Sequence, residues 1–312
     1  MYVGSNEVIG AALGSQSGGK LILQGAIIWG RQYSITKSLT NVTIDNNATS
    51  IYYKEKYEAT LSCNSGKQIL PGYVKVVMGD TDISSTAYDE STNKIVIAEV
   101  TGNLTISAEA ATIPAEYKPV KYIQVTSKSS ANAIRLEYVP NNKTKLVLDV
   151  NPIEGYPNLL YGTINPNTAA SASNPAFQAY IKITNAAGNM QFGTINHASN
   201  NNLRLKTGKR VTFTCDKGKF TFEHNTAGVV TKDFSDTATW RSAAKVRIFG
   251  YYMQNPTYNY WGTGKIYRAT ISEEGTMLQD YVSVKRLSDG QAGLYDVTNG
   301  VYIGASAYSY PT

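Results

Sequence analysis

Cysteine and histidine are scarce. The 312 residues contain two of each, Cys63 and Cys215, His197 and His224. Two cysteines so far apart make no disulfide framework and no metal-ligand spacing, so free, buried thiols are expected. Neither histidine has a partner at a metal-binding spacing. No segment approaches the ~20 consecutive apolar residues of a membrane-spanning helix. No Lys or Arg precedes Lys20 and no long apolar core follows it, so a secretory signal is not expected. Basic runs are also absent. The 29 Lys+Arg against 23 Asp+Glu leave a net charge of +6 that is spread along the chain, which argues against a nucleic-acid stripe. Convincing helical periodicity is missing throughout.

Strand and turn chemistry fills the space. Twenty-six glycines and 23 tyrosines, with abundant Thr, Asn and Ser, suit an all-β protein with many turns. The length predicts about two domains. Residues 1–30 stand apart as a short segment with a Ser/Gly break, Ser15 to Gly19, between apolar stretches. Tyr2, Val3, Val8, Ile9, Leu13, Leu21, Ile22, Leu23, Ile27, Ile28 and Trp29 can be buried only against something else. That is either a partner particle or copy, or the domain that follows.

Residues 31–112 show short alternating runs at sandwich spacing. Tyr57, Ala59 and Leu61 alternate with polar residues, as on a half-buried strand. Ile95-Val96-Ile97 and Leu104–Ala108 read as a closing pair around Thr101-Gly102-Asn103. Residues 113–312 hold a longer series of strands. Strand-like runs there are separated by Asp216-Lys217-Gly218-Lys219, Glu273-Glu274-Gly275, Asp289-Gly290 and Asn299-Gly300. Each of these reads as a tight hairpin turn, with both central positions of the last two expected at positive φ. His197 falls in a polar Asn/Ser loop, and His224 at a strand end.

Two stretches carry a resemblance. Val74, Val76, Met78, Gly79, Asp82, Ile83, Tyr88, Ile95, Ile97, Val100 to Gly102, Leu104, Ile106 and Ala108 resemble small immunoglobulin-like modules of phage particles and bacterial surface proteins. Pro114-Ala115-Glu116-Tyr117 with Tyr122-Ile123, and Lys265-Ile266-Tyr267 with Ser288-Asp289-Gly290 and Gly293-Leu294-Tyr295-Asp296 to Tyr302, resemble the opening and closing strands of a concanavalin-like (laminin-G-like) jelly roll. Val3-Gly4-Ser5-Asn6-Glu7-Val8 with Trp29-Gly30 is similar to short N-terminal segments of phage structural proteins. The resemblance implies a bacteriophage head-fibre or tail-fibre type of protein. It would have a docking segment at 1–30, an immunoglobulin-like β-sandwich at 31–112 and a jelly roll at 113–312. Virion localisation after synthesis in a host cytoplasm follows from it, as do partners among capsid, portal/collar or tail proteins and a homo-oligomeric state, dimer or trimer. A bacterial surface adhesin with a carbohydrate-binding domain is the alternative.

One cluster has binding chemistry. Trp240, Tyr251, Gln254, Asn255, Tyr258, Asn259, Tyr260 and Trp261 combine aromatic faces, which pack on the C–H faces of sugars, with amides that bond hydroxyls. They are candidates for a host-surface glycan; core packing or a subunit contact would use the same residues. Glu137 and Asp149 are candidates for the paired acids of a glycosidase, although strand acids on a wet face are ordinarily solvated. No nucleophile-elbow motif is present. No catalytic residue, cofactor or metal is expected, and Asp289 and Asp296 are explained by turns rather than by calcium.

Overall fold

A computed structural model describes residues 31–126, 133–152, 162–163, 208–223, 228–231, 233, 239, 241–242, 244–250, 262–305 and 308–311 with their side chains, and residues 2–3, 6–7, 20–23, 26–30, 158–161, 177–183, 188–193, 197–200, 224 and 232 as backbone strands. The chain is all-β. Among the described residues only Ser84–Ala87 and Pro71–Tyr73 make helical turns. It divides into two compact units, Met1–Ile69 with Tyr73–Ala110, and Leu70–Gly72 with Ala111–Thr312.

The first unit packs two sheets around one core. One sheet runs Thr81–Asp82, Lys75–Met78, Leu104–Thr112, Gln32–Thr40, Ser50–Tyr52, with Lys67–Ile69 also on Leu104–Thr112. The other runs Tyr88–Asp89, Lys94–Ile97, Tyr57–Cys63, Val42–Ile44. Val76, Leu104 and Ile106 from the first meet Tyr57, Leu61 and Ile95 from the second. Tyr57, Ala59 and Leu61 are buried in alternation, as their spacing predicts. The expected closing pair does not form. Lys94–Ile97 pairs with Tyr57–Cys63, whereas Leu104–Thr112 lies in the opposite sheet, antiparallel to Lys75–Met78 and parallel to Gln32–Thr40. Residues 98–103 therefore cross between layers rather than turn within one. Both strands carry an apolar stripe, and such a stripe is buried in either layer, so the stripes alone do not select neighbouring pairing. The cysteines are free, Cys215 buried and Cys63 only half-buried, with its thiol donating to the Lys67 carbonyl at 2.8 Å.

The second unit is also two-layered. Its large sheet runs Gly228–Asp233, Lys219–His224, Val211–Asp216, Thr144–Pro152, Gly264–Glu273, Thr276–Arg286, Ala292–Asp296, Val301–Gly304. Tyr117–Pro119 joins Thr276–Arg286, and Ile123–Val125 joins Gly264–Glu273. The smaller sheet runs Ile134–Arg135, Arg247–Ile248, Asn158–Thr163, Phe177–Ile183, Gly188–Gly193, His197–Asn200. Ile134, Leu136, Val246 and Ile248 share one core with Leu146, Leu148, Phe213, Phe220 and Tyr281 of the large sheet.

The turns divide into two kinds. Lys217-Gly218 (φ 52° and 85°) and Glu274-Gly275 (φ 50° and 87°) have both central residues at positive φ, as two-residue hairpins require. At Asp289-Gly290 and Asn299-Gly300 only the glycines do, at 70° and 72°, so these are longer loops and not the tight turns expected. Gly290 N–H reaches the Arg286 carbonyl and Gly300 N–H the Asp296 carbonyl, each at 2.8 Å. Side-chain capping by Asp289 and Asp296 makes the longer loop the better one. Asp289 Oδ1 accepts from Gln291 N–H and Asp296 Oδ1 from Thr298 N–H. His197 also departs from expectation: it begins an edge strand.

Candidate functional site

The closing strands of the second unit bring the opening and closing motifs into contact. Gly293 and Gly304 pair across neighbouring strands, as do Tyr295 and Tyr302. The Tyr302 ring lies over both glycines: a Cβ at Gly293 would sit 2.6 Å from its Cε2, and one at Gly304 2.6 Å from its Cε1. The Tyr302 hydroxyl donates to the Gln291 carbonyl at 2.8 Å, and burial pushes the phenol up to about 12. Tyr117 stacks on Tyr302 with centroids 5.1 Å apart and leans on Tyr295 at 5.0 Å. Arg286 stands 5.0 Å from the Tyr302 centroid and grips Asp289 through Nε and Nη2. This cluster ties the start of the unit to its end. Its aromatic faces are used on one another, so its role is architectural.

The acids of this unit are likewise engaged. Asp149 pairs with Arg210, whose guanidinium lies 4.0 Å from the Tyr267 centroid. Arg268 holds both oxygens of Asp280 at 2.7 Å. Glu273 accepts from Tyr138 and, at 2.7 Å, from Asn141. Asp296, fully buried, accepts N–H bonds from Asp280 and Thr298 and the Asn299 amide. Glu137 pairs with Lys245. Glu137 and Asp149 are thus each held by a cation, Lys245 and Arg210. Among the described residues no group of three or more His, Cys, Asp or Glu could hold a metal ion.

The two sheets differ in their outer faces. In the large sheet Gln279, Asp280, Tyr281, Val282, Ser283 and Val284 are buried in succession, and all of Ala292–Asp296 is buried. Burial without alternation means that both faces are covered there. In the smaller sheet Ile134 and Ile248 are in the core, Arg135 is exposed and Arg247 half-buried, whereas the consecutive Gly162 and Thr163 are both buried. Register aligns Ile134 and Ile248, both in the core, in one row with Tyr161, Ala179, Phe192 and Ala198. The adjacent row is Arg135, Arg247, Gly162, Gln178, Gly193, His197, at positions of the opposite face. One row further along, Tyr180, Gln191 and Ser199 are in register. Polar and glycine positions thus cross all six strands of one sheet, a span of about 24 Å at the usual strand spacing.

Of the residues singled out from sequence, Trp240, Tyr251, Gln254, Asn255, Tyr258, Asn259, Tyr260 and Trp261 lie outside the described residues, as do Val8, Ile9 and Leu13. Tyr2 and Val3 form a strand paired with Asn6–Glu7. Leu21, Ile22 and Leu23 lie in a strand antiparallel to that of Ile27, Ile28 and Trp29, with Leu21 opposite Trp29 and Ile22 opposite Ile27. The row through Arg135 and His197 escaped sequence reading, because its members are far apart along the chain. The only local signal is the polar parity of Gln178, Tyr180 and Lys182.

No family model and no curated protein matches the chain. Among solved structures it is similar to a candidate carbohydrate-binding protein from Bacteroides ovatus ATCC 8483, with 10% identity, coverage of 90% of this chain and 96% of that one, and a TM-score of 0.36.

Proposed function

We propose that the chain is a structural protein of a bacteriophage particle, a head-fibre or tail-fibre type of decoration, and that its second unit contacts carbohydrate on the host surface. It acts by binding and display rather than by catalysis. The observation that carries the carbohydrate reading is in the smaller sheet of the second unit, where register aligns Arg, Gln, Tyr, Ser and His positions in rows at the parity opposite to Ile134 and Ile248. Amide, hydroxyl and aromatic groups at such positions suit sugar hydroxyls and sugar C–H faces. Weak single contacts would be multiplied by many copies on a particle.

The particle reading is supported by the motif resemblance and by the N-terminal hairpin. Lys20–Leu23 and Ala26–Gly30 pair only with each other among the described residues. A lone two-stranded hairpin is marginal in water, and this one is rich in Leu, Ile and Trp, so it needs a covering partner. A particle protein or further copies of this chain would supply one.

Labelled antibody against the full chain, viewed on purified particles by electron microscopy, tests the particle reading. Signal on the head or tail supports it. Absence of signal on every particle overturns it and puts a surface adhesin first. Removal of residues 1–30 is expected to leave the rest folded and to abolish incorporation; normal incorporation would sink the docking role. A panel of neutral and acidic polysaccharides tests the carbohydrate contact, and no binding to any of them overturns that part.

A further inference from the structure

The geometry points to a load-bearing function for the first unit: the first and last strands of its two-sheet core form a clamp that resists a pull along the chain. The inference goes beyond the particle reading and does not depend on it. Gln32–Thr40 opens this core and Leu104–Thr112 closes it, and the two lie side by side and parallel. Six consecutive pairs, from Ile35 opposite Leu104 to Thr40 opposite Glu109, run without a register shift. Because the strands are parallel, the start of one and the end of the other lie at opposite ends of the ladder. A pull that enters at Gln32 and leaves at Thr112 therefore drives the strands past each other. The bonds between them must yield together rather than in turn. A chain anchored at one end and loaded at the other passes its load through this ladder.

The neighbours hold both strands against sliding. Gln32–Ser34 is paired on its other side with Ser50–Tyr52, and the Ile35 N–H reaches the Thr49 carbonyl at 2.8 Å. Leu104–Ser107 is paired on its other side with Lys75–Met78. Tyr33 and Ile35 of one strand and Leu104, Ile106, Ala108 and Ala110 of the other are buried in the core, so sliding also drags apolar side chains out of it. Just past the end of the first strand, Asn41 Nδ2 donates to the Ala110 carbonyl at 3.1 Å. The second unit ends in the opposite geometry. Ile123–Val125 and Tyr308–Ser309 are antiparallel, with Gln124 opposite Ser309 and Val125 opposite Tyr308. There the start of one strand and the end of the other lie at the same end, so a pull between them opens the pairs in turn.

The test pulls single molecules of the full chain in optical tweezers along two directions. One pair of handles is on the two termini. The other joins the N-terminus to an azide-bearing residue substituted at the exposed Thr101, which opens the ladder from Ile35 and Leu104, pair by pair. Forced unfolding is set by the barrier and not by stability, so direction matters although the folded state is the same. At equal loading rate the first unit's event, recognised by its shorter released chain, is expected to need at least about twice the force from the termini, because the bonds break together in that direction and singly in the other. Ser38→Pro removes an N–H on the Leu104–Thr112 side, since the Ile35 N–H points the other way and the sides alternate along a strand. The Ser38 side chain is exposed, so packing is untouched. This change should bring the terminal force down toward the Thr101 value and leave the Thr101 value nearly as it was. Leu61→Ala, in the core of the opposite sheet, costs stability and should keep the ratio between directions. Equal forces along the two directions in the parent chain would overturn the inference, and would do so even where Ser38→Pro failed to fold. Loss of the ratio in Leu61→Ala as complete as in Ser38→Pro would overturn it too.

Discussion

The two sheets of the second unit are built from similar residues and use them differently. In the large sheet many polar and charged side chains are tied up internally, although Asn151 Oδ1 and Gln279 Oε1 are buried without a hydrogen-bond partner. Arg268 grips Asp280, Asp296 serves two backbone amides and a side-chain amide, Ser283 donates to the Ile266 carbonyl, and Tyr302 is laid across paired glycines. Such bonds are needed because these residues are buried in succession, and a buried polar group without a partner costs more than a bonded one returns. In the smaller sheet Ile134-Arg135 and Arg247-Ile248 keep the period of two, Gly162 and Thr163 are both buried, and polar residue types collect at one parity across the strands. The difference teaches that polar residues in a strand identify a binding face only where alternation survives. Where it fails, they belong to the architecture.

The sharpest way to break this comparison is to attack the glycine pair. Gly293→Ala would drive a Cβ into the Tyr302 ring and the Ile303 carbonyl. The backbone there cannot retreat, being paired on both sides, so the second unit should lose about 3 kcal/mol. Urea unfolding, followed by hydrogen exchange in Ala292–Asp296, would read the loss. Tyr302→Ala in the same chain should recover part of it, because the two changes couple through one contact. A Gly293→Ala chain as stable as the parent would mean that Tyr302 swings away freely, and the large sheet would no longer count as locked.

A smaller effect is expected at Asp296. Asp296→Ala leaves the N–H groups of Asp280 and Thr298 and the Asn299 amide without their acceptor. About 2 kcal/mol should be lost from the second unit, measured by the same unfolding curves. Polysaccharide binding by the folded fraction should be unchanged, since the polar rows lie in the other sheet. A parallel loss of binding would show that the two sheets do not divide the labour as described.

Much of the large sheet was legible in the sequence. Its hairpins announce themselves in Lys217-Gly218 and Glu274-Gly275, and its closing motif runs through adjacent strands from Gly264 to Gly304. Local chemistry and neighbouring pairing coincide there. The crossover after Ile97 was not legible, because an apolar stripe is the same whether its partner lies beside it or across the core. Loop length at Asp289 and Asp296 was misread because a dipeptide signal says nothing about what the carboxylate caps. The Arg135 to His197 row was hidden for a third reason. Its members come from six strands spread over more than a hundred residues, and only the register of every intervening pair brings them together.

The first unit offers a further test of polar burial. Tyr57 is 1% exposed and its hydroxyl has no hydrogen-bond partner, a lack it shares with Asn151 Oδ1 and Gln279 Oε1 of the large sheet. Burial first, and the nearby Asp45 charge second, push the phenol up to about 12. Tyr57→Phe keeps the ring packed against the core and removes the unmet desolvation cost. The first unit should gain about 1 kcal/mol, visible as slower hydrogen exchange in Tyr57–Cys63. A loss instead would mean that an ordered water satisfies the hydroxyl.

The mildest test concerns acid. Asp289 is held down from the ordinary 3.8 to about 2, first by its hydrogen bond from Arg286 and next by the Gln291 N–H. A depressed carboxylate favours the folded state above its unfolded pKa, and that contribution fades as pH falls from about 4 through about 2. Asp289→Asn should therefore flatten the acid limb of the second unit's stability curve across that window and leave the slope above pH 5 unaltered. The carboxylate is solvent-exposed, so the change should be smaller than at Gly293, Asp296 or Tyr57. Asp89, lowered to about 2 chiefly by the Thr92 and Ser91 hydroxyls, provides the matched control in the first unit. Asp89→Asn should act on the acid limb read in Tyr57–Cys63 and not on that read in Ala292–Asp296. If either substitution moved both limbs together, the two units would be unfolding as one cooperative body, and the assignment of separate stabilities to them would fall.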